Sequence, residues 1–259
     1  LAAGLYWSSI DTSGCSVWWK GEVAYGKLTG KFAYLSWHDT FRQAFSICNA
    51  WEQRGKTVAE RIKLLEDDVV DGQKRERYQT DLGKFWLPAP GKDLITFLVW
   101  EMTVQVDYEG GGVGIHPGDT VIDCGAHVGV FTRYALRHGA ARVVAIEPDP
   151  ANLACLEDNL AAEISDGRVI VVKAGVWDHE TTLTLFHVEE ANSGMQGFVG
   201  EPERTSKIPG IPVRPLDDFV RELHLDRVDF IKMDIEGSEV RALMGARQTL
   251  VRFRPRMAI

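Results

Sequence analysis

From Thr120 onward the sequence alternates short β-branched, apolar runs with stretches of helical period, and no other feature restricts the fold as strongly. Residues 120–123, Arg142–Ile146, Val169–Val172 and 228–233 read as strands. Helical patterns lie between them: one to Gly139, one behind Asp149 and Pro150 with Leu153, Leu156 and Leu160 on a face, one over residues 215–223, and one through Val240, Leu243, Met244 and Ala246. Asp149 is a capping residue and Pro150 suits the first helical position, so that helix start is marked twice. Strands joined by helices pair in parallel, with the helices laid on the sheet's faces. The expected fold is therefore an α/β, Rossmann-like sandwich with a mostly parallel sheet. Residues 182–188 alternate loosely and read as an edge strand, and residues 211–214 as a short extended piece.

The first part of the chain reads differently. Residues 1–37 are rich in glycine and aromatics, among them Tyr6, Trp7, Trp18, Trp19 and Trp37, and read as an arm stapled onto the core. Phe41, Ala44, Phe45, Cys48 and Trp51 then fall at helical spacing up to Gly55. Thr57 and Glu60 form a capping box ahead of Val58, Ile62, Leu65 and Val69, which predicts a second helix to Gly72 and hence a helical hairpin. Residues 93–106 read as a buried helix or a helix followed by a strand. The expected organisation is an extension over residues 1–82 and an α/β core over residues 83–259.

Charge and cysteine usage narrow the function. Asp and Glu outnumber Lys and Arg 37 to 29, for a net charge of −8, and no basic stripe offsets this, so no nucleic-acid partner is expected. No apolar run reaches the about 20 residues of a membrane-spanning helix. The four cysteines, Cys15, Cys48, Cys124 and Cys155, are scattered without a C-x-x-C pair, which suits free thiols in a reducing, cytoplasmic setting rather than a disulfide framework or structural zinc. The chain begins at Leu1 and not Met, so a preceding segment that associates with membrane is compatible with the same reading.

In open α/β sheets the ligand crevice lies beyond the carboxyl ends of the strands, where strand order reverses. The first core strand ends in Asp123-Cys124-Gly125-Ala126-His127-Val128-Gly129. Gly125 and Gly129 lack side chains there, which predicts close approach of a ligand to the backbone. Glu147 ends the second strand 22 residues after Gly125, the spacing at which an acidic side chain meets ribose hydroxyls in nucleotide folds. A dinucleotide fingerprint needs G-x-G-x-x-G for its pyrophosphate, and His127 stands where the second glycine belongs. An adenosine cofactor without phosphate, S-adenosylmethionine, fits better than NAD. An NAD-type oxidoreductase of related fold and a noncatalytic interaction module are the alternatives.

The blocks VIDCGAHVGVFT, AIEPDPANLACLEDNL and VDFIKMDIEGSEVRALMGA, supported by LGKFWLP and VRPLDDFV, resemble the FkbM-type family of class I S-adenosylmethionine-dependent methyltransferases over residues 82–259. The resemblance implies that Asp123, Gly125, Ala126, His127 and Gly129 surround the methionine part of the cofactor; the family usually carries Asn at the position of His127. It further implies that Glu147, Pro148 and Asp149 serve the ribose, and Ala174, Gly175 and Val176 the adenine. Asp234 and Glu236 would close the site beside the sulfonium and the acceptor. An acceptor hydroxyl needs a base within hydrogen-bond reach, which makes these two carboxylates the catalytic candidates. Lys232 lies two residues before Asp234, on the same face of its strand, and reads as an ion-pair partner. No spacing calls for a metal. The resemblance implies O-methylation of a small-molecule or glycan acceptor on a saccharide, glycolipid or natural product, and says nothing of oligomeric state. The family sheet runs past the fifth strand, which this chain only enters at Arg256-Met257-Ala258-Ile259, so the expectation is a piece of a longer protein that lacks the last strands.

Overall fold

The computed structural model describes residues 55–105, 113–188, 196–198 and 205–259. The aromatic arm and the first expected helix lie outside them. At the heart is a five-stranded parallel sheet of β4 (Thr120–Cys124), β5 (Arg142–Ile146), β6 (Val169–Val172), β11 (Phe230–Met233) and β12 (Arg256–Ala258). Its order is β12-β11-β4-β5-β6. The chain thus winds outward from β4 in one direction through β5 and β6, then crosses back to β11 on the other side. That reversal beside β4 is the crevice of a doubly wound fold.

The register explains why β4, β5 and β11 are nearly uniformly apolar. Val121, Val143 and Phe230 are in register and turn to one face; Ile122, Val144 and Ile231 turn to the other. The first face is covered by α2 (Lys92–Trp100), α3 (Val130–Arg137) and α4 (Pro150–Asn159), and the second by α6 (Leu216–Glu222), α7 (Glu239–Met244) and α8 (Arg247–Phe253). A strand buried on both sides has no polar face to alternate with. The short α5 (Ala161–Ser165) links α4 to β6. None of the described helices is long and apolar enough to cross a membrane.

Two expectations are corrected. The helix predicted over residues 57–72 is only one turn and a half, α1 (Lys56–Arg61), followed by β1 (Lys63–Val70), β2 (Gln73–Thr80) and β3 (Gly83–Pro88) in an antiparallel sheet. Val70 pairs with Gln73, so Asp71-Gly72 is a two-residue hairpin loop, and both residues have positive φ (51° and 79°). The stripe that suggested a helix is split: Val58 and Ile62 are buried, whereas Leu65 and Val69 are exposed on β1, and the inner contacts of the antiparallel sheet come from Tyr78, Phe85 and Leu87. Those three side chains share a cluster with Val121 and Phe230, and the expected boundary at residues 82–83 falls at the turn between β2 and β3.

The supposed edge strand is likewise no part of the main sheet. β8 (Thr181–Val188) pairs antiparallel with β10 (Thr205–Arg214), which also takes in the extended piece at residues 211–214. With β7 (Gly175–Val176) and β9 (Gln196–Gly197) they form a second sheet ordered β7-β10-β8-β9. Because β7 directly follows β6, this sheet starts at the carboxyl end of the main one and flanks the crevice.

Candidate active site

Beyond the tips of β4, β5, β6 and β11 lies an open cleft. Nine of the residues singled out in the sequence line it: Gly125, His127, Glu147, Pro148, Ala174, Gly175, Val176, Asp234 and Glu236. Five others were not foreseen: Ile146, Asn152, Leu185, Phe198 and Ile235. Ile146 and Ile235 adjoin foreseen residues, and Asn152 is three residues past a recognised cap. Leu185 and Phe198 come from the second sheet, and nothing local in the sequence announces that contribution.

The turn after β4 holds three left-handed residues in five: Gly125 (φ 77°), His127 (φ 52°) and Gly129 (φ 87°). Among residues with a Cβ, Asn, Asp and His tolerate this region best, which accounts for a histidine at this position. The glycines are needed for a reason other than ligand approach. A Cβ on Gly125 would stand 2.1 Å from the carbonyl oxygen of Asp234, and one on Gly129 would stand 2.7 Å from Leu160 Cδ1. The first glycine lets the β4 and β11 turns touch, and the second seats the turn on α4.

Four backbone donors of this turn are occupied. Gly125 and Ala126 both donate to the carbonyl of Ile146, Gly129 donates to Ala126, and His127 donates to Glu147 Oε2 at 2.8 Å. Glu147 Oε1 accepts from the Asp149 N–H at 2.9 Å and from Asn152 Nδ2 at 3.5 Å. Glu147 is buried, and burial pushes its carboxyl up to about 7, although the Asp149 and His127 N–H groups favour the charged form. Oε2, with a single donor, keeps lone-pair capacity for a further one.

Across the cleft, the turn after β11 presents Asp234 and Glu236. Glu239 Oε1 ties this turn by accepting from the N–H groups of Ile235 (3.0 Å) and Gly237 (3.2 Å). Glu236 is half-buried with φ 53°, a strained setting for a glutamate. Burial, then repulsion from Asp234 and Glu239, push its carboxyl up to about 7 against the pull of Lys232. Asp234 is exposed, its Oδ2 3.8 Å from the ammonium of Lys232.

Four residues expected at the cofactor are not among those that line this cleft. Asp123 is fully buried on the α3 side, where it accepts from Thr132 Oγ1 at 2.7 Å and pairs with Lys232 at 3.6 Å. Ala126 packs with Leu156 and Leu160, and Gly129 rests against Leu160. Asp149 is the N-cap of α4, its Oδ1 accepting from Ala151 (2.7 Å) and Asn152 (3.0 Å). Phe198 seats on Gly175, where a Cβ would stand 2.5 Å from its ring, and meets Trp177 edge-on at 6.2 Å between centroids. Among the described residues no lysine or arginine lines the cleft.

The family model described as "Methyltransferase FkbM domain" matches residues 123–259. The chain is 31% identical over 176 residues to the 31-O-demethyl-FK506 methyltransferase FkbM of Streptomyces tacrolimicus, covering 58% of this chain and 67% of the relative. It is 27% identical over 153 residues to methyltransferase sdnD of Sordaria araneosa, covering 48% and 59%. The crystal structure of methyltransferase FkbM from Methylobacillus flagellatus KT matches with a TM-score of 0.43 and 21% identity over 80% of this chain and 48% of that one. The chain spans about two thirds or less of each of these proteins.

Proposed function

The chain belongs to the FkbM methyltransferase family, and from that premise we propose that it transfers the methyl group of S-adenosylmethionine to a hydroxyl of a saccharide, glycolipid or other natural product. The observation that carries this reading is the β4 turn. Its N–H groups at residues 125, 126, 127 and 129 already have acceptors within the fold, and no cationic side chain among the described residues faces the cleft. A pyrophosphate would find no lysine or arginine there to balance its charge, and the donors of those four residues are already committed. A cofactor that lacks phosphate and carries a net positive charge suits a cleft lined by Glu147, Asp234 and Glu236. The relative named for 31-O-demethyl-FK506 supports an oxygen acceptor.

When bound, S-adenosylmethionine supplies a methyl carbon activated by a cationic sulfur. The carboxylate of Glu147 would accept hydrogen bonds from the ribose hydroxyls, and the apolar edge of Ala174, Val176, Leu185 and Phe198 would exclude water from the adenine. Glu236, with a value near the working pH, takes the proton of the acceptor hydroxyl at a carboxylate oxygen. Asp234 orients the acceptor at the cleft mouth. Holding the reacting groups in line in a dry cleft supplies the larger share of the rate, about 7 kcal/mol or more.

The test is transfer of labelled methyl from S-adenosylmethionine into extracts of the source cell, followed by identification of the labelled product. A labelled methyl ether, lost with Glu236→Gln, is the expected result. Label confined to nitrogen or carbon would overturn the oxygen acceptor.

A further inference from the structure

Lys232 has an environment that an ordinary structural ion pair does not require. Its side chain is 7% exposed, and register places it directly across from Asp123 on the α3 side of the sheet. Yet its one hydrogen bond within 3.0 Å goes to neither carboxylate: the ammonium donates to the backbone carbonyl of Gly125. Asp123 Oδ1 lies at 3.6 Å and Asp234 Oδ2 at 3.8 Å, with the Phe131 ring centroid at 5.9 Å. Asp234 is 58% exposed and needs no buried partner for its solvation. The carbonyl of Gly125 sits in the turn that also delivers the His127 N–H to Glu147. The β4 and β11 turns touch at Gly125 and Asp234, where no Cβ fits, and the ammonium lies beneath that contact.

We propose that Lys232 is a positioning residue: its ammonium fixes the Gly125 carbonyl and the Asp234 carboxylate relative to each other, and so holds the cofactor-side turn in register with the acceptor-side turn. The inference rests on the methyltransferase reading. Burial works against the charge on Lys232, but Asp234 and Asp123 overcome it and hold the ammonium protonated. A buried cation is retained only when it is paired and hydrogen-bonded, and here those bonds join the two halves of the site.

Neutralising Asp123 is the competing role, and a double substitution separates the two. Lys232→Met alone leaves Asp123 buried without a cation and is expected to destabilise the fold. Asp123→Asn together with Lys232→Met removes both charges and is expected to regain the thermal midpoint while S-adenosylhomocysteine, titrated calorimetrically, binds at least tenfold more weakly than to the unaltered chain. Recovery of both stability and affinity would overturn the proposal. Should the double variant not fold, Lys232→Arg decides: it keeps a positive charge beside Asp123 but replaces the compact donor below Gly125. Positioning predicts a folded protein with affinity at least fivefold lower, and unchanged affinity would overturn it. Failure of the unaltered chain to bind S-adenosylhomocysteine would instead strike the methyltransferase reading.

Discussion

Cofactor binding at this cleft is expected to expel a proton from Glu147. The carboxyl is buried, and its value of about 7 means that roughly three quarters of the molecules carry the proton at pH 6.5, and about a tenth at pH 8. Ribose hydroxyls donate hydrogen bonds, so the ionised form binds and the proton leaves. The expected release is therefore about 0.7 proton at pH 6.5 and about 0.1 at pH 8, and the affinity should rise about tenfold between pH 6 and pH 8. Glu236 shares a value of about 7 and would blur the count, so the measurement belongs in the Glu236→Gln background. Titration of S-adenosylhomocysteine in two buffers of different ionisation enthalpy gives the number of protons as the slope of observed heat. In Glu147→Gln the slope should vanish and the affinity fall about ten- to a hundredfold, the about 1.5–3 kcal/mol of hydrogen bonds to a charged group. Identical heats in both buffers at pH 6.5, with binding intact, would refute the ribose role of Glu147.

Stability should carry the same signature. Both Glu147 and Glu236 sit above their ordinary 4.5, so the unfolded chain gives up these protons first; their contribution is full below about pH 4.5 and is lost as pH rises to about 7, about 2–3 kcal/mol for Glu147, read from denaturant midpoints at pH 5 and 7.5. Glu236→Gln should lower turnover by about 10²–10⁴-fold while S-adenosylhomocysteine affinity stays within about threefold, measured by labelled transfer and calorimetry; an active variant would remove Glu236 as the base. Gly125→Ala should cost more than about 3 kcal/mol in urea unfolding, since left-handed φ alone costs about 1–2 kcal/mol and the new Cβ meets the Asp234 carbonyl at 2.1 Å. Asp149→Ala should cost about 1–2 kcal/mol as a lost N-cap, by the same assay, and an unperturbed melt would contradict the capping role.

What the sequence disclosed was whatever depended on local chemistry or on the sheet's own alternation. Asp149-Pro150 opens α4 as read, because the cap fixes its start, and β5 and β6 keep the predicted limits, as short β-branched runs paired in the parallel sheet. The acids at the strand tips were likewise legible, since position at a carboxyl end is enough to bring Glu147, Asp234 and Glu236 to one cleft. The hairpin β1–β2 was missed because Ile62, Leu65 and Val69 imitate a helical stripe; the Asp71-Gly72 pair was the contrary signal and outweighs it in the fold. The second sheet depends on a long-range antiparallel pairing of β8 with β10, so Phe198 and Leu185 could not be assigned to the site in advance. Asp123 illustrates a finer limit. It ends its strand where a cofactor contact is expected, but strand parity turns it toward Thr132 and Lys232.

The central claim is that this cleft takes a nucleoside cofactor without phosphate. Side-by-side calorimetric titration of the 259-residue chain with S-adenosylmethionine and with NAD tests it most directly. A micromolar dissociation constant for S-adenosylmethionine, lost in Glu147→Ala, together with no heat from NAD, is the predicted result. No heat from S-adenosylmethionine, or NAD binding at comparable affinity, would contradict it.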